Sequence, residues 1–258
     1  MRVLLTNDDG IGATGLQSLR RALRELEGVE LHVVAPDSNR SATARSITTR
    51  SPLWVEEVSF DDGDTGFATE GTPVDCVRFA DLGLVGERPE LIVSGINHGS
   101  NLGDDVTYSG TVAAALEGTL LHVPSIALSS ERDDKGGADY ELAAELAVVL
   151  GAKALAVGLP TGVFLSVNVP RPPARGIRIT RQGTRSYRAA VIERLDPSGR
   201  PYFWIAGADT TPSGEPDGDH EALRAGYVSV TPLHANMTHD PSRSWLGDTV
   251  GEFAINNT

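Results

Sequence analysis

Arg2-Val3-Leu4-Leu5-Thr6-Asn7-Asp8-Asp9-Gly10 opens the chain. Leu31-His32-Val33-Val34-Ala35-Pro36 follows after a stretch in which Leu16, Leu19, Leu23 and Leu26 recur every three or four residues. The apolar run at 3–5 reads as a short buried strand and the leucines as the apolar face of a helix. The run at 31–35 reads as a second strand, which Pro36 closes. Strand, loop, helix and strand in that order form a βαβ unit whose two strands are parallel. Its natural extension is a doubly wound, Rossmann-like sheet.

The rest of the chain continues the alternation to about residue 170. Thr72-Pro73-Val74-Asp75 carries the start signals of a helix: a Thr cap, Pro at the first helical position and an acid three residues after the cap. Cys76 and Phe79 then face the core. Residues 91–94 read as a strand, followed by a polar, Gly-rich loop, a helix over 112–121 and a strand over 125–128. A further helix over 140–150 presents Leu142, Leu146, Val149 and Leu150 on one face, ahead of a strand at 163–167. From 177 to 205 the pattern shortens to alternating stretches around Asp196-Pro197-Ser198-Gly199, which predicts a β-hairpin. Residues 209–219 read as a surface loop and 227–231 as a returning strand. The expected architecture is a single α/β domain over 1–258, a mostly parallel doubly wound sheet with a C-terminal β-hairpin extension.

Composition narrows the function. The 258 residues are 40% hydrophobic and 22% charged, which is a globular balance. A formal net charge of −13 opposes DNA or RNA polymers as partners, because their affinity rests on Lys and Arg neutralising phosphates. A small phosphate ester remains compatible if a metal, a helix N-terminus or a few arginines supply local positive charge. The single cysteine, Cys76, forms no internal disulfide, and the start of the chain lacks the pattern of a signal peptide. The most apolar long stretch, 146–169, is broken by Lys153, Pro160 and glycines, so no membrane span is expected and a cytoplasmic location follows.

Ligands of an open parallel sheet bind beyond the carboxyl ends of its strands, near the switch in strand order. Three polar loops follow such ends: Asn7, Asp8 and Asp9; Asp37, Asn39, Arg40 and Ser41; and Asn97, Asn101, Asp104 and Asp105. Adjacent carboxylates repel unless a divalent cation turns the repulsion into coordination, and Asp, Asn and Ser oxygens suit Mg²⁺ or Mn²⁺ better than zinc. The competing reading is that Asp8 or Asp9 closes an Asx-turn. Ser109-Gly110-Thr111 precedes an alanine-rich helix, so its backbone N–H groups make an anion site at the same crevice, beside the plainer reading of a Ser or Thr cap. His98, next to Asn97 in the site loop, is the histidine with an opening to touch a substrate, beside the commoner reading that it does not; His234 and His239 read as structural or interface residues, and Cys76 as core.

These motifs resemble the SurE nucleotidase family. The resemblance is carried by Thr6-Asn7-Asp8-Asp9-Gly10, Asn39-Arg40-Ser41, Gly71-Thr72-Pro73-Val74-Asp75, Ser94-Gly95-Ile96-Asn97, Asn101-Leu102-Gly103, Tyr108-Ser109-Gly110-Thr111 and Gly226-Tyr227-Val228-Ser229-Val230-Thr231-Pro232-Leu233. It implies one divalent metal per subunit, Mg²⁺ or Mn²⁺, held by Asp8, Asp9, Ser41 and Asn97. It also implies substrate contact from Asn101 and phosphate contacts from Ser109, Gly110 and Thr111, with Asp8, Asp9 and Asn101 as the catalytic set. The implied reaction is hydrolysis of nucleoside 5'-monophosphates, with 3'-monophosphates and short polyphosphates as further candidates. The implied assembly is a homodimer or homotetramer, with about 182–225 projecting to make the subunit contacts. The chain departs from the family pattern at Ala42, where Gly usually follows the serine, and at Thr14, where Pro usually precedes Gly15. The rival readings are a nucleotide-binding module without catalysis and a phosphatase with Asp8 as covalent nucleophile, though adjacent Asp8-Asp9 lacks the Asp-x-Asp spacing of the latter. A Rossmann dehydrogenase fits worse, since no G-x-G-x-x-G follows the first strand.

Overall fold

In the computed structural model, β1 (Arg2–Thr6) is buried along its whole apolar run. Val3 and Leu5 pack into one core cluster and Leu4 into another. A strand covered on both faces lies inside a sheet flanked by helices. Here β1 sits between parallel neighbours β2 (Glu30–Pro36) and β5 (Leu91–His98). The structure describes residues 1–212 and 215–250, without the side chains of 185–189, 206–212 and 248–250. Residues 213, 214 and 251–258, which belong to the expected surface loop and to the end of the expected domain, lie outside the described residues.

Among the described residues the main sheet has nine strands. Besides these three it contains β3 (Val55–Ser59), β4 (Thr65–Thr69), β6 (Ser125–Ser130), β7 (Val163–Val169), β8 (Ile177–Ile179) and β11 (Val228–His234), in the order β3-β4-β2-β1-β5-β6-β7-β11-β8. All pairings are parallel except β3 with β4 and β11 with β7. One face is covered by α1 (Thr14–Arg24) and α4 (Glu141–Val157), the other by α2 (Pro73–Asp81) and α3 (Gly110–Leu120). The expected fold class is therefore observed. No helix among the described residues is long and apolar enough to cross a membrane.

Several elements differ from the sequence reading. β5 continues past Ser94 to His98, so Asn97 ends a strand instead of lying in the following loop. On α4 the expected Leu142, Leu146 and Leu150 do pack against the core, but Val149 is 63% exposed and the most deeply buried positions are Ala143, Ala144, Ala147, Gly151 and Ala154. Small residues let this helix lie close to the sheet: a methyl group at Gly151 would meet Leu91 at 3.1 Å. Residues 177–179 join the main sheet, and the hairpin is confined to β9 (Arg185–Leu195) and β10 (Pro201–Pro212), a separate two-stranded sheet. Part of the expected 209–219 loop is β10, and Asp219 begins α5 (Asp219–Arg224) with its carboxylate buried. That carboxylate accepts the amides of Gly103 and Gly183 at 2.8 and 3.0 Å. The β3–β4 hairpin and α6 (Pro241–Val250) were not anticipated; β3 is a charged edge strand without a continuous apolar face.

Candidate active site

From β1 the chain steps to β2 on one side and later returns to β5 on the other, so the loops after β1 and β5 part and leave a crevice between them. That switch point opens into a cleft of about 500 Å³ lined by Asp8, Ser41, Ala42, Asn97, His98, Asn101, Asp105, Tyr108, Ser109, Glu131 and Arg132, among others. The three polar loops do converge there.

The turn after β1 is formed by Asn7, whose side chain accepts the Gly10 amide at 3.2 Å and donates to the Gly10 carbonyl at 2.9 Å. The turn-forming role weighed for the aspartates therefore falls to their neighbour. Asp9 accepts the His98 amide at 2.8 Å and the Asn39 side-chain amide at 3.1 Å, tying the ends of β5 and β2 to one carboxylate. Asp8 is 3% exposed and lodges against the N-terminus of α3, where it accepts the Thr111 hydroxyl at 2.5 Å and the Thr111 amide at 3.1 Å. Gly110 makes this lodging possible, since a Cβ there would stand 2.8 Å from that of Asp8. Burial, with the charge of Asp9 adding and the Thr111 hydroxyl opposing, pushes the Asp8 carboxyl up to about 6.

This geometry changes one expectation. Thr111, fully buried, directs its hydroxyl and amide at Asp8, so the anion at this end of α3 is the protein's own carboxylate. The Ser109 hydroxyl caps the helix by accepting the Val112 amide at 3.2 Å, and it lines the cleft. The plainer cap reading thus holds for Ser109 without removing it from the crevice.

Ser41 is placed by its loop. The Arg40 amide donates to the Asp8 carbonyl at 2.7 Å, the Ser41 amide to the Asn39 side chain at 2.9 Å, and the Ala44 amide to the Tyr108 carbonyl at 3.0 Å. Farther along, Arg45 pairs with buried Glu117 of α3 at 2.7 Å, and Thr48 donates its amide and hydroxyl to Asp75 at 2.9 and 2.8 Å. Ala42 adopts a left-handed φ of 59°, a conformation that costs an L residue with a side chain about 1–2 kcal/mol. Alanine in place of the family's usual glycine therefore carries backbone strain at this position.

Asn97 reaches the crevice because β5 carries an extra residue. Ser94 pairs with Ala127 and Asn97 with Ser129, so Gly95 and Ile96 stand opposite Leu128 alone. A methyl group at Gly95 would lie 2.4 Å from the Leu128 carbonyl oxygen, so no side chain fits there. Asn97 donates its amide to the Gly99 carbonyl at 2.8 Å. Asn101 is locked by Asn168 of β7 through its main-chain amide and carbonyl at 2.8 and 3.0 Å, and its side chain donates to Ser129 at 2.9 Å. The His98 ring Nδ1 meets the Tyr140 hydroxyl at 2.8 Å. Asn168, Ser129 and Tyr140 were not singled out from sequence. Polar residues at the ends of otherwise apolar strands were the available signal for the first two. Cys76 is fully buried on the inner face of α2 and burial pushes its thiol up, which fits core and not nucleophile.

Among the described residues no three His, Cys, Asp or Glu gather as metal ligands. A divalent site among the described residues therefore has at most two carboxylates and would be completed by neutral oxygens, which the Ser41 hydroxyl and the Asn97 side-chain carbonyl could supply.

Comparison with known proteins gives consistent results. The family described as "Survival protein SurE" matches residues 3–189. The "5'-nucleotidase SurE" of Pelobacter propionicus is 48% identical over 242 residues, covering 93% of this chain and 95% of the relative. That of Herpetosiphon aurantiacus is 47% identical over 244 residues, covering 93% and 94%. Among solved structures, the SurE protein from Aquifex aeolicus superposes with a TM-score of 0.80 at 38% identity, covering 96% of this chain and 99% of that one.

Proposed function

This chain belongs to the SurE survival-protein family, and from that premise we propose that it is a 5'-nucleotidase, a metal-dependent phosphohydrolase acting on nucleoside monophosphates. The observation that carries the reading is the Asp8–Asp9 pair at the switch point. The two carboxylates are adjacent, are held by different elements, and take part in no ion pair among the described residues. Such a pair is unfavourable alone and becomes a binding site for a divalent cation.

We assign Asp8, Asp9, Ser41 and Asn97 to one Mg²⁺ or Mn²⁺ ion per subunit, an oxygen-only set in keeping with a hard cation. When bound, the ion supplies Lewis-acid polarisation of a phosphoryl oxygen and a site for orienting water. The protein's own groups do the positioning. Thr111 fixes Asp8, while His98 and Asn39 fix Asp9, so neither carboxylate has to reorganise during the reaction. Asn101, Ser109 and the Gly110 amide face the ester. With Nδ1 of His98 engaged by Tyr140, Nε2 is the ring nitrogen left to hold or pass a proton. The projecting hairpin within about 182–225 serves assembly as a homodimer or homotetramer. The lone, buried cysteine suits a reducing cytoplasm.

A phosphate-release screen over nucleoside 5'- and 3'-monophosphates with Mg²⁺ or Mn²⁺ tests this reading. Release should stop on chelation and return with either metal. Nucleotide-dependent stabilisation with no phosphate released would assign the cleft to a binding module instead.

A further inference from the structure

The cleft is acidic: Asp8, Asp105 and Glu131 line it, in a chain of net charge −13. A phosphate monoester is itself a dianion at neutral pH, so its approach needs a local cation besides any metal. Among the described residues that line it, only Arg132 carries a fixed positive charge.

Arg132 is built in. It follows the end of β6, whose Ser130 pairs with His98. Its Nε donates to the His98 carbonyl at 2.7 Å. The guanidinium then lies across Gly99, where a Cβ would stand 3.2 Å from Nε and 3.6 Å from both Cζ and Nη2. Gly99 has a φ of 125°, so both its conformation and the flat seat it offers need the absence of a side chain. The supporting backbone is held from behind, because Arg171 donates to the Arg132 carbonyl at 2.6 Å and pairs with Asp134 at 2.5 Å. Among the described residues no carboxylate lies within ion-pair distance of Arg132, in contrast to Arg20, Arg40, Arg45 and Arg171. An arginine pinned at Nε, seated on glycine and unneutralised at the mouth of an acidic cleft presents two nitrogens in a fork that matches phosphate oxygens.

We propose that Arg132 is a substrate-binding residue that captures the phosphate dianion of the monoester and holds it in the cleft. The inference rests on the phosphomonoesterase reading of the site.

Steady-state kinetics of Arg132→Met and Arg132→Lys, with inorganic phosphate as a competitive probe, test it. Arg132→Met should lower kcat/KM about tenfold, carried mainly by KM, and raise the inhibition constant of phosphate by a similar factor. Arg132→Lys, which keeps the charge and loses the fork and the Nε contact, should recover part of both. The steepness of the KM rise with salt should fall in the Met variant. Unchanged KM and phosphate inhibition in Arg132→Met would overturn the proposal. So would a Lys variant as impaired as Met with a lowered melting temperature, which would mean that the residue only props the loop. Failure of the underlying reading is distinguishable, since then the unaltered protein would release no phosphate from any monoester.

Discussion

At the residue scale the most informative group is Asp8. Its carboxyl is pushed up to about 6 from an ordinary 3.8, so the native state holds this proton more tightly than the unfolded chain does. A raised acid pKa makes the neutral form the stable one: stability is full below about pH 4, falls as pH rises towards 6, and levels off above. At ~1.4 kcal/mol per unit the loss is on the order of 3 kcal/mol. Metal-stripped protein should therefore melt lower at pH 7 than at pH 5 from this group's contribution, Asp8→Asn should flatten that slope, and Mn²⁺ should restore the neutral-pH melting temperature only in the unaltered chain. Equal pH slopes in the two stripped proteins would dismiss the account. Adjacency and place single out Asp8 and Asp9 in the sequence as the metal ligands proposed above. The sequence did not reveal that Thr111 serves Asp8, because whether a helix-terminal donor meets a ligand or a neighbouring carboxylate depends on packing 103 residues apart in sequence.

At the element scale, the loop from 37 to 54 has no regular structure of its own and takes its shape from the helices beneath it. Asp75 is the main anchor. It completes the capping box of α2 with Thr72 and also accepts both the amide and the hydroxyl of Thr48. The capping box was readable in Thr72-Pro73-Val74-Asp75, since it is local; the second task of Asp75, towards a loop 27 residues away, was not. Replacing Asp75 with Ala should destabilise the protein by on the order of 2–4 kcal/mol, through the lost cap and two orphaned donors. It should also raise the metal concentration needed for activity, because Ser41 rides on the same loop. An unaltered metal requirement in a destabilised variant would confine Asp75 to the cap. The face of α4 shows a related limit: Leu142, Leu146 and Leu150 pack against the core as the period suggests, but Val149 does not, and the closest packing on the sheet falls to alanine and glycine, which a count of large apolar residues passes over.

At the scale of the molecule, the central strands β1, β2, β5, β6 and β7 and the helices between them were legible in hydrophobic period, whereas β4, short and flanked by charged residues, was not. The hairpin was legible as a hairpin, but its extent was not: residues 177–179 belong to the main sheet and the separate ribbon begins at Arg185. Val191, Leu195, Tyr202, Phe203, Trp204 and Ile205 stand 44–87% exposed on β9 and β10, outside all three core clusters. A two-stranded ribbon is marginal in water, and that much exposed apolar surface calls for a covering partner. A second copy of the chain is the partner we propose. Sedimentation at micromolar concentration should show a dimer or tetramer for the full chain and a monomer once residues 185–212 are replaced by a short turn. A full-length monomer, or an assembly indifferent to the replacement, would rule the hairpin out as the contact.

The extra residue of β5 opposite Leu128 has one more consequence. Side chains alternate along a strand, so the bulge works like a reading-frame setting: one residue more or fewer decides which side of the sheet everything after it decodes to. Deleting Gly95 would leave the apolar sequence before it untouched while turning Asn97 and His98 to the opposite faces. The active-site end of this strand is therefore sensitive to indels in a way that no substitution scan would register.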